Sequence, residues 1–149
     1  MAQGEYVSPE RLEGLYAEHP AIATIFIHGD SSQTSVVAII GTDPEPFSNW
    51  ASKVLRRTVP VSEISTVYND PTIKKQLLKD LDRLAQKKKL QGFERIKAVY
   101  LASDPFTVEN ALLTPTMKLK RPESAKAFRK EIDMLYEQVN AKPQIKAKL

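Results

Sequence analysis

A chain of 149 residues can bury one sizeable core and is too short for two ordinary domains. It is 42% hydrophobic and 27% charged, with no apolar run that could span a bilayer and no basic start leading into an apolar stretch, so neither a membrane-spanning helix nor a secretory leader is expected. The absence of cysteine removes disulfide and thiolate chemistry, and His19 and His28 are too few to build a zinc centre without several carboxylates, so no metal site is expected either. A net charge of +4 and a pI near 9.2 admit a polyanionic partner such as nucleic acid, CoA or ATP, but speak first of solubility.

Ser8-Pro9-Glu10 reads as a helix start: a cap, a proline at the first position and an acid against the positive helix end. Leu12, Leu15 and Tyr16 give that helix an apolar face, and it should stop near His19-Pro20. Two β-rich runs come next, from Ile22 to His28 and from Ser35 to Gly41, separated by the polar turn Gly29 to Gln33. They predict a hairpin, and since both runs are apolar on both faces, both strands are expected to be central and covered. Asp43-Pro44 opens a second helix with Phe47, Trp50, Ala51, Val54 and Leu55 on one side, and a helical piece is expected near Ile64 to Tyr68.

Asp70-Pro71 repeats the cap-then-proline device. Ile73, Leu77, Leu78, Leu81 and Leu84 then draw a stripe down a long helix, whose basic residues Lys74, Lys75, Lys79, Lys87, Lys88 and Lys89 suit either the phosphates of CoA, an anionic membrane, or simply solvent. Gly92 closes that unit, and Ile96 to Leu101 predicts a third strand. From Asp104 to Arg121 no period dominates, the pattern of a functional loop. Pro122 opens a last helix with Ala125, Phe128, Ile132, Leu135, Tyr136 and Val139 facing inward, and a flexible basic tail is expected from about Ala141. The fold class is α+β: a small central sheet with helices on its faces over residues 1–140, and a tail over 141–149.

Chemistry concentrates in Leu113-Thr114-Pro115-Thr116-Met117-Lys118-Leu119-Lys120-Arg121-Pro122. A bend is followed by three cations within four residues, and a lysine on a fixed loop is a compact charge for phosphate or carboxylate. The same letters also describe an edge strand with a cationic face, Lys118 and Lys120 outward, over an apolar back made by Met117 and Leu119.

Three segments in order are similar to the C-terminal domain of long-chain fatty acyl-CoA synthetases, of the adenylate-forming superfamily: Gly4-Glu5-Tyr6-Val7-Ser8-Pro9-Glu10-Arg11-Leu12-Glu13, Ile27-His28-Gly29-Asp30-Ser31, and the lysine loop from Leu113 to Pro122. The resemblance implies a lid that closes on a large N-terminal adenylation domain, first to make an acyl-adenylate from fatty acid and MgATP, then, rotated, to let CoA take the acyl group. Matched to the superfamily loop Pro-Lys-Thr-x-Ser-Gly-Lys, Thr114 falls on the threonine and Lys118 on the catalytic lysine. Met117 stands where that loop has glycine, and this departure puts Lys120 in play as a second candidate. Gly4, Glu5 and Tyr6 resemble the stretch lining the pantetheine tunnel.

The chain carries no phosphate loop and no adenine- or acid-binding element of that superfamily, so the expectation is a domain inactive alone, excised or truncated from a longer ligase. Ala147-Lys148-Leu149 has the small–basic–leucine form of a peroxisomal address read by an import receptor. The competing expectation is a stand-alone basic module for an anionic partner. Nucleic acid is disfavoured, because aromatic residues are not interleaved with the lysines as a base-stacking surface needs; Tyr100 and Phe106 are the nearest. A luciferase-like or aryl-CoA ligase would keep the glycine that Met117 replaces.

Overall fold

The computed structural model describes residues 8–30 and 32–147. Helix α1 (Pro9–Tyr16) leads into strand β1 (Ile22–His28) and strand β2 (Val36–Thr42), then α2 (Pro44–Leu55), a 3-10 segment (Val61–Val67) and the long α3 (Pro71–Lys87). A single 3-10 turn (Gly92–Glu94) precedes strand β3 (Ile96–Ala102), and after a loop come α4 (Arg121–Ala127) and α5 (Arg129–Ala147). The sheet order is β1-β2-β3, with β1 antiparallel and β3 parallel to β2. The α+β class and the hairpin expected from the sequence are therefore present.

Of the two runs that are apolar on both faces, only β2 is central; each of its seven residues is buried. β1 is an edge strand with Ala23 exposed, and its apolar second face is covered by loop and helix instead of by a further strand. Alternation along the strands separates two cores. Ile25, Ile27, Ala38, Ile40 and Val99 pack with Leu12 and Tyr16 of α1, Phe47 of α2 and Ile73, Leu77 and Leu81 of α3. On the other face Phe26, Val37, Ile39 and Ala98 pack with Phe106, Leu112, Leu113 and, from α5, Ile132, Leu135 and Tyr136. Tyr16, sealed in the first core, donates to the Glu94 carbonyl at 2.9 Å, and burial pushes its hydroxyl up to about 12.

Helix starts obey proline more than capping. Asp70 accepts from the amides of Thr72 (2.8 Å) and Ile73 (3.4 Å), as its sequence context predicts. Ser8 makes no such side-chain bond, so α1 is started by Pro9 and held by packing of its buried face. The last helix is two: Phe128 turns in against Phe106 (ring centroids 5.3 Å apart), ending α4 before α5 begins. α5 extends to Ala147, past the point near Ala141 where the sequence suggests a tail.

Most buried polar groups are paired, with the Ser124 hydroxyl the exception among the described residues. His19 receives the Ala21 amide at Nδ1 (3.1 Å), so its ring proton sits on Nε2, 2.9 Å from Asp80 Oδ2. The same carboxylate accepts from Trp50 Nε1 (3.0 Å) and Gln76 Nε2 (2.9 Å), tying α2 and the end of α1 to α3. Burial alone would raise Asp80, but hydrogen bonds from His19, Gln76 and Trp50 outweigh it and hold the carboxyl below the ordinary range. A carboxyl so depressed stabilises the fold above its unfolded value of about 3.9 and loses that contribution as pH falls through its folded value. The urea midpoint should thus be flat from about pH 7 to 5 and fall steeply below about pH 4, with a shallower acid-side fall in Asp80→Asn; an acid limb unchanged by the substitution would contradict this role.

Candidate functional site

The loop after β3 is pinned before it turns outward. Gly41 in β2 faces it so closely that an added Cβ would lie 2.3 Å from Thr24 Oγ1 and 2.8 Å from Pro105 Cδ, so a side chain there would push Pro105 away. Asn110 then knots the chain: Oδ1 accepts from the amides of Thr107 (3.0 Å) and Leu112 (3.1 Å), and Nδ2 donates to the Pro105 carbonyl (3.0 Å). Leu112 and Leu113 drop into the second core.

From that root rises a tight hairpin. Leu113 pairs with Leu119, the Lys120 amide donates to Leu112 O (2.9 Å) and Thr114 N to Lys118 O (2.8 Å). At its tip the Met117 amide donates to Thr114 O (2.8 Å), closing a turn over Pro115 and Thr116. Thr116 keeps a negative φ, so the turn is type I, and Met117 comes next at φ 67 as the left-handed residue of a three-residue hairpin loop. Thr114 Oγ1 accepts the Lys118 amide (3.0 Å) and contacts Thr116 Oγ1 (3.0 Å), which is the physical reason for threonine at both places.

Lys118 is exposed at this tip, Lys120 is half-buried just before α4, and Leu119 packs on the second core. Strict alternation places Met117 with Leu119 on the inside. Instead Met117 is 65% exposed, since the turn breaks the alternation. A side chain held at positive φ costs roughly 1 kcal/mol relative to glycine.

The descending arm is anchored by a charge pair that the sequence conceals. Glu13, buried on α1, accepts the Ile27 amide of edge strand β1 (2.8 Å) and two bonds from the Arg121 guanidinium, one at 3.0 Å to Oε2 and a second to Oε1. Arg121 also lies 6.0 Å from the Phe26 ring centroid. The hydrogen bonds that Arg121 donates to Glu13 raise its pKa against the opposing effect of burial. No sequence pattern joins the two residues, because 108 positions separate them. The one available signal is a carboxylate three residues before Tyr16, on the face of α1 that must be buried.

The remaining candidates lie elsewhere. Gly4, Glu5, Tyr6, Lys148 and Leu149 fall outside the described residues; Ala147 ends α5. His28 Nε2 donates to Asp30 Oδ1 (2.6 Å) beside the Arg129 guanidinium, a surface ion network that closes the β1–β2 turn onto α5. Lys75, Lys79, Lys87, Lys88 and Lys89 are exposed at α3 and its C-terminal end, and Lys74, half-buried, is pulled down by burial. Lys74, Lys75, Lys79 and Lys97 border a groove of about 590 Å³ beside β3 that includes no hairpin residue. Among the described residues no group of three or more His, Cys, Asp or Glu could hold a metal ion, and no helix is long and apolar enough to cross a membrane.

A three-stranded mixed sheet with helices on both faces and an outward lysine hairpin is the fold of the C-terminal domain of adenylate-forming enzymes. Solved structures agree: the adenylation domain of a carboxylate reductase from Mycobacterium chelonae superposes with a TM-score of 0.73 at 26% identity, over 92% of this chain and 19% of that one. The corresponding domain from Segniliparus rugosus, solved with AMP and a co-purified carboxylic acid, gives 0.71 at 26% identity, over 93% of this chain and 19% of that one.

By sequence the chain is similar to part of the long-chain acyl-CoA ligases. It is 50% identical to a peroxisomal acyl-CoA ligase of Penicillium roqueforti over 100% of its own length and 22% of that protein. It is 40% identical to peroxisomal long chain acyl-CoA synthetase 7 of Arabidopsis thaliana (100% and 21%) and 41% identical to long-chain-fatty-acid–CoA ligase 6 of Homo sapiens (91% and 19%). The chain thus spans about a fifth of the length of these relatives. No family model matches it. Nothing among these relatives supports a stand-alone basic module.

Arg121→Met should test the anchor. It leaves Glu13 buried with only the Ile27 amide, and should cost about 2 kcal/mol in urea unfolding, below the figure of about 3–5 kcal/mol for a fully buried pair because the Arg121 side chain is 29% exposed. A variant as stable as the parent would show that the pair contributes nothing to holding the hairpin.

Proposed function

We propose that this chain acts as the mobile lid of an AMP-forming long-chain fatty-acid–CoA ligase, and that Lys118 is the cation it delivers to the first half-reaction. The observation that carries the reading is the hairpin: both arms are rooted in the second core, the exit is fixed by Glu13 and Arg121, and Lys118 stands exposed at the far end. Such a group can enter a cleft on another domain without unfolding anything.

In that cleft a fatty carboxylate oxygen attacks the α-phosphorus of MgATP, and the bond to the departing pyrophosphate breaks. Negative charge shifts between carboxylate, α-phosphate and leaving group, and an ammonium held by a stiff hairpin where water is excluded stabilises that shift without reorganising. Magnesium arrives with ATP as substrate. In the second half-reaction the CoA sulfur attacks the acyl carbonyl and AMP departs; Gly4, Glu5 and Tyr6 are the candidates for the surface along the pantetheine arm. Lys120, half-buried next to α4, is less free to reach and serves as the alternative.

With this domain joined to an upstream adenylation domain, Lys118→Ala should reduce acyl-adenylate formation by about 10²–10³-fold and largely spare thioester formation from supplied acyl-adenylate. Equal loss in both half-reactions, or in neither, removes Lys118 from the role and leaves Lys120 to be tried.

The address is proposed separately. Where Ala147-Lys148-Leu149 closes a chain, its small–basic–leucine form suits a peroxisomal import receptor, and two of the three relatives named above carry "peroxisomal" in their names. A fluorescent reporter ending in residues 141–149 should be punctate and Leu149→Asp should make it diffuse; a pattern indifferent to that substitution would refute the address.

A further inference from the structure

Among the described residues, five without the freedom of glycine hold a positive φ: Arg56, Lys89, Asp104, Ala111 and Met117. Three are polar or charged residues and one is alanine; Met117 is the only large apolar side chain in this conformation. Four large hydrophobic side chains among the described residues are exposed, those of Val61, Val108, Met117 and Met134, and Met117, at 65%, is the most exposed. Met117 alone combines the two properties. Within this domain both features are unfavourable: glycine would relieve the backbone, and a polar side chain would suit water. Neither cost is offset by core packing, since Met117 belongs to neither core.

We infer that Met117 is a positioning residue, an apolar anchor that seats the lysine hairpin against a nonpolar wall of the adenylation domain beside the acyl-adenylate site. The inference rests on the lid reading and adds to it the contact that aims Lys118. Met117 and Lys118 are neighbours at the exposed tip, so a surface that receives the ammonium lies within reach of the thioether. An unbranched, polarizable side chain is suited to a wall of irregular shape. Its burial there repays the strained turn only when the lid is closed for adenylation, and therefore ties that strain to the reactive state. The left-handed backbone fixes where the side chain leaves the turn, a constraint that glycine at this point would not supply.

The test uses the joined two-domain enzyme. Met117→Gly should leave the unfolding temperature equal or higher, because the turn is relieved, yet lower kcat for adenylate formation by about ten- to a hundredfold through misplacement of Lys118, with KM for the fatty acid unchanged. Thioester formation from supplied acyl-adenylate should be untouched, and Met117→Leu should restore most of the rate. Full adenylation activity in Met117→Gly, or equal loss in both half-reactions, overturns the inference. Lys118→Ala, run alongside, separates the two ideas: if it too is fully active, Lys118 is not the delivered cation and the assignment on which the anchor rests has failed, whereas an inactive Lys118→Ala beside a fully active Met117→Gly refutes only the anchor.

Discussion

One buried carboxylate connects the parts of this domain on which its use depends. Glu13 lies on the first helix, yet its oxygens serve the outward amide of the edge strand and the arginine that ends the lysine hairpin. In water each of these groups would be solvated. Inside the domain a carboxylate left without partners would be costly, so helix, strand and hairpin must arrive together. The same contact blunts β1 as an edge, because a side chain occupies an amide that a foreign strand could otherwise use.

Stiffness is graded along the hairpin as a consequence. Its roots are apolar and immobilised by Leu112, Leu113 and Leu119; its middle is closed by backbone bonds and by the hydroxyl of Thr114. Only the tip, from Pro115 to Lys118, is fully offered to solvent. A cation on such a support would keep its direction if the whole domain moved as a body. Under the lid reading proposed above, no part of the hairpin would have to refold between the two steps.

Much of this architecture is legible in the residues. Pro9, Pro44, Pro71 and Pro122 mark helix starts, and the stripe Ile73, Leu77, Leu81 defines α3 and its buried face. The hairpin of β1 and β2 arises from two apolar runs and a polar turn. Local pattern cannot tell which strand is central, because β1 and β2 are equally apolar and only the parallel return of β3 onto β2 decides it. Period-two reasoning fails at Met117 for a related reason: alternation describes paired residues, and a turn residue at positive φ is not paired. The Glu13–Arg121 contact is out of reach because its partners meet only once the sheet has brought α1 and α4 to the same edge.

The central claim is about where one nitrogen goes. A crystal structure of the two-domain ligase closed on a non-hydrolysable acyl-adenylate analogue measures it directly. Lys118 Nζ should then stand roughly 3 Å from an oxygen of the phosphate–carboxyl junction, with the hairpin otherwise unchanged. Lys120 in that place, or Lys118 still pointing into solvent with the lid shut, would contradict it.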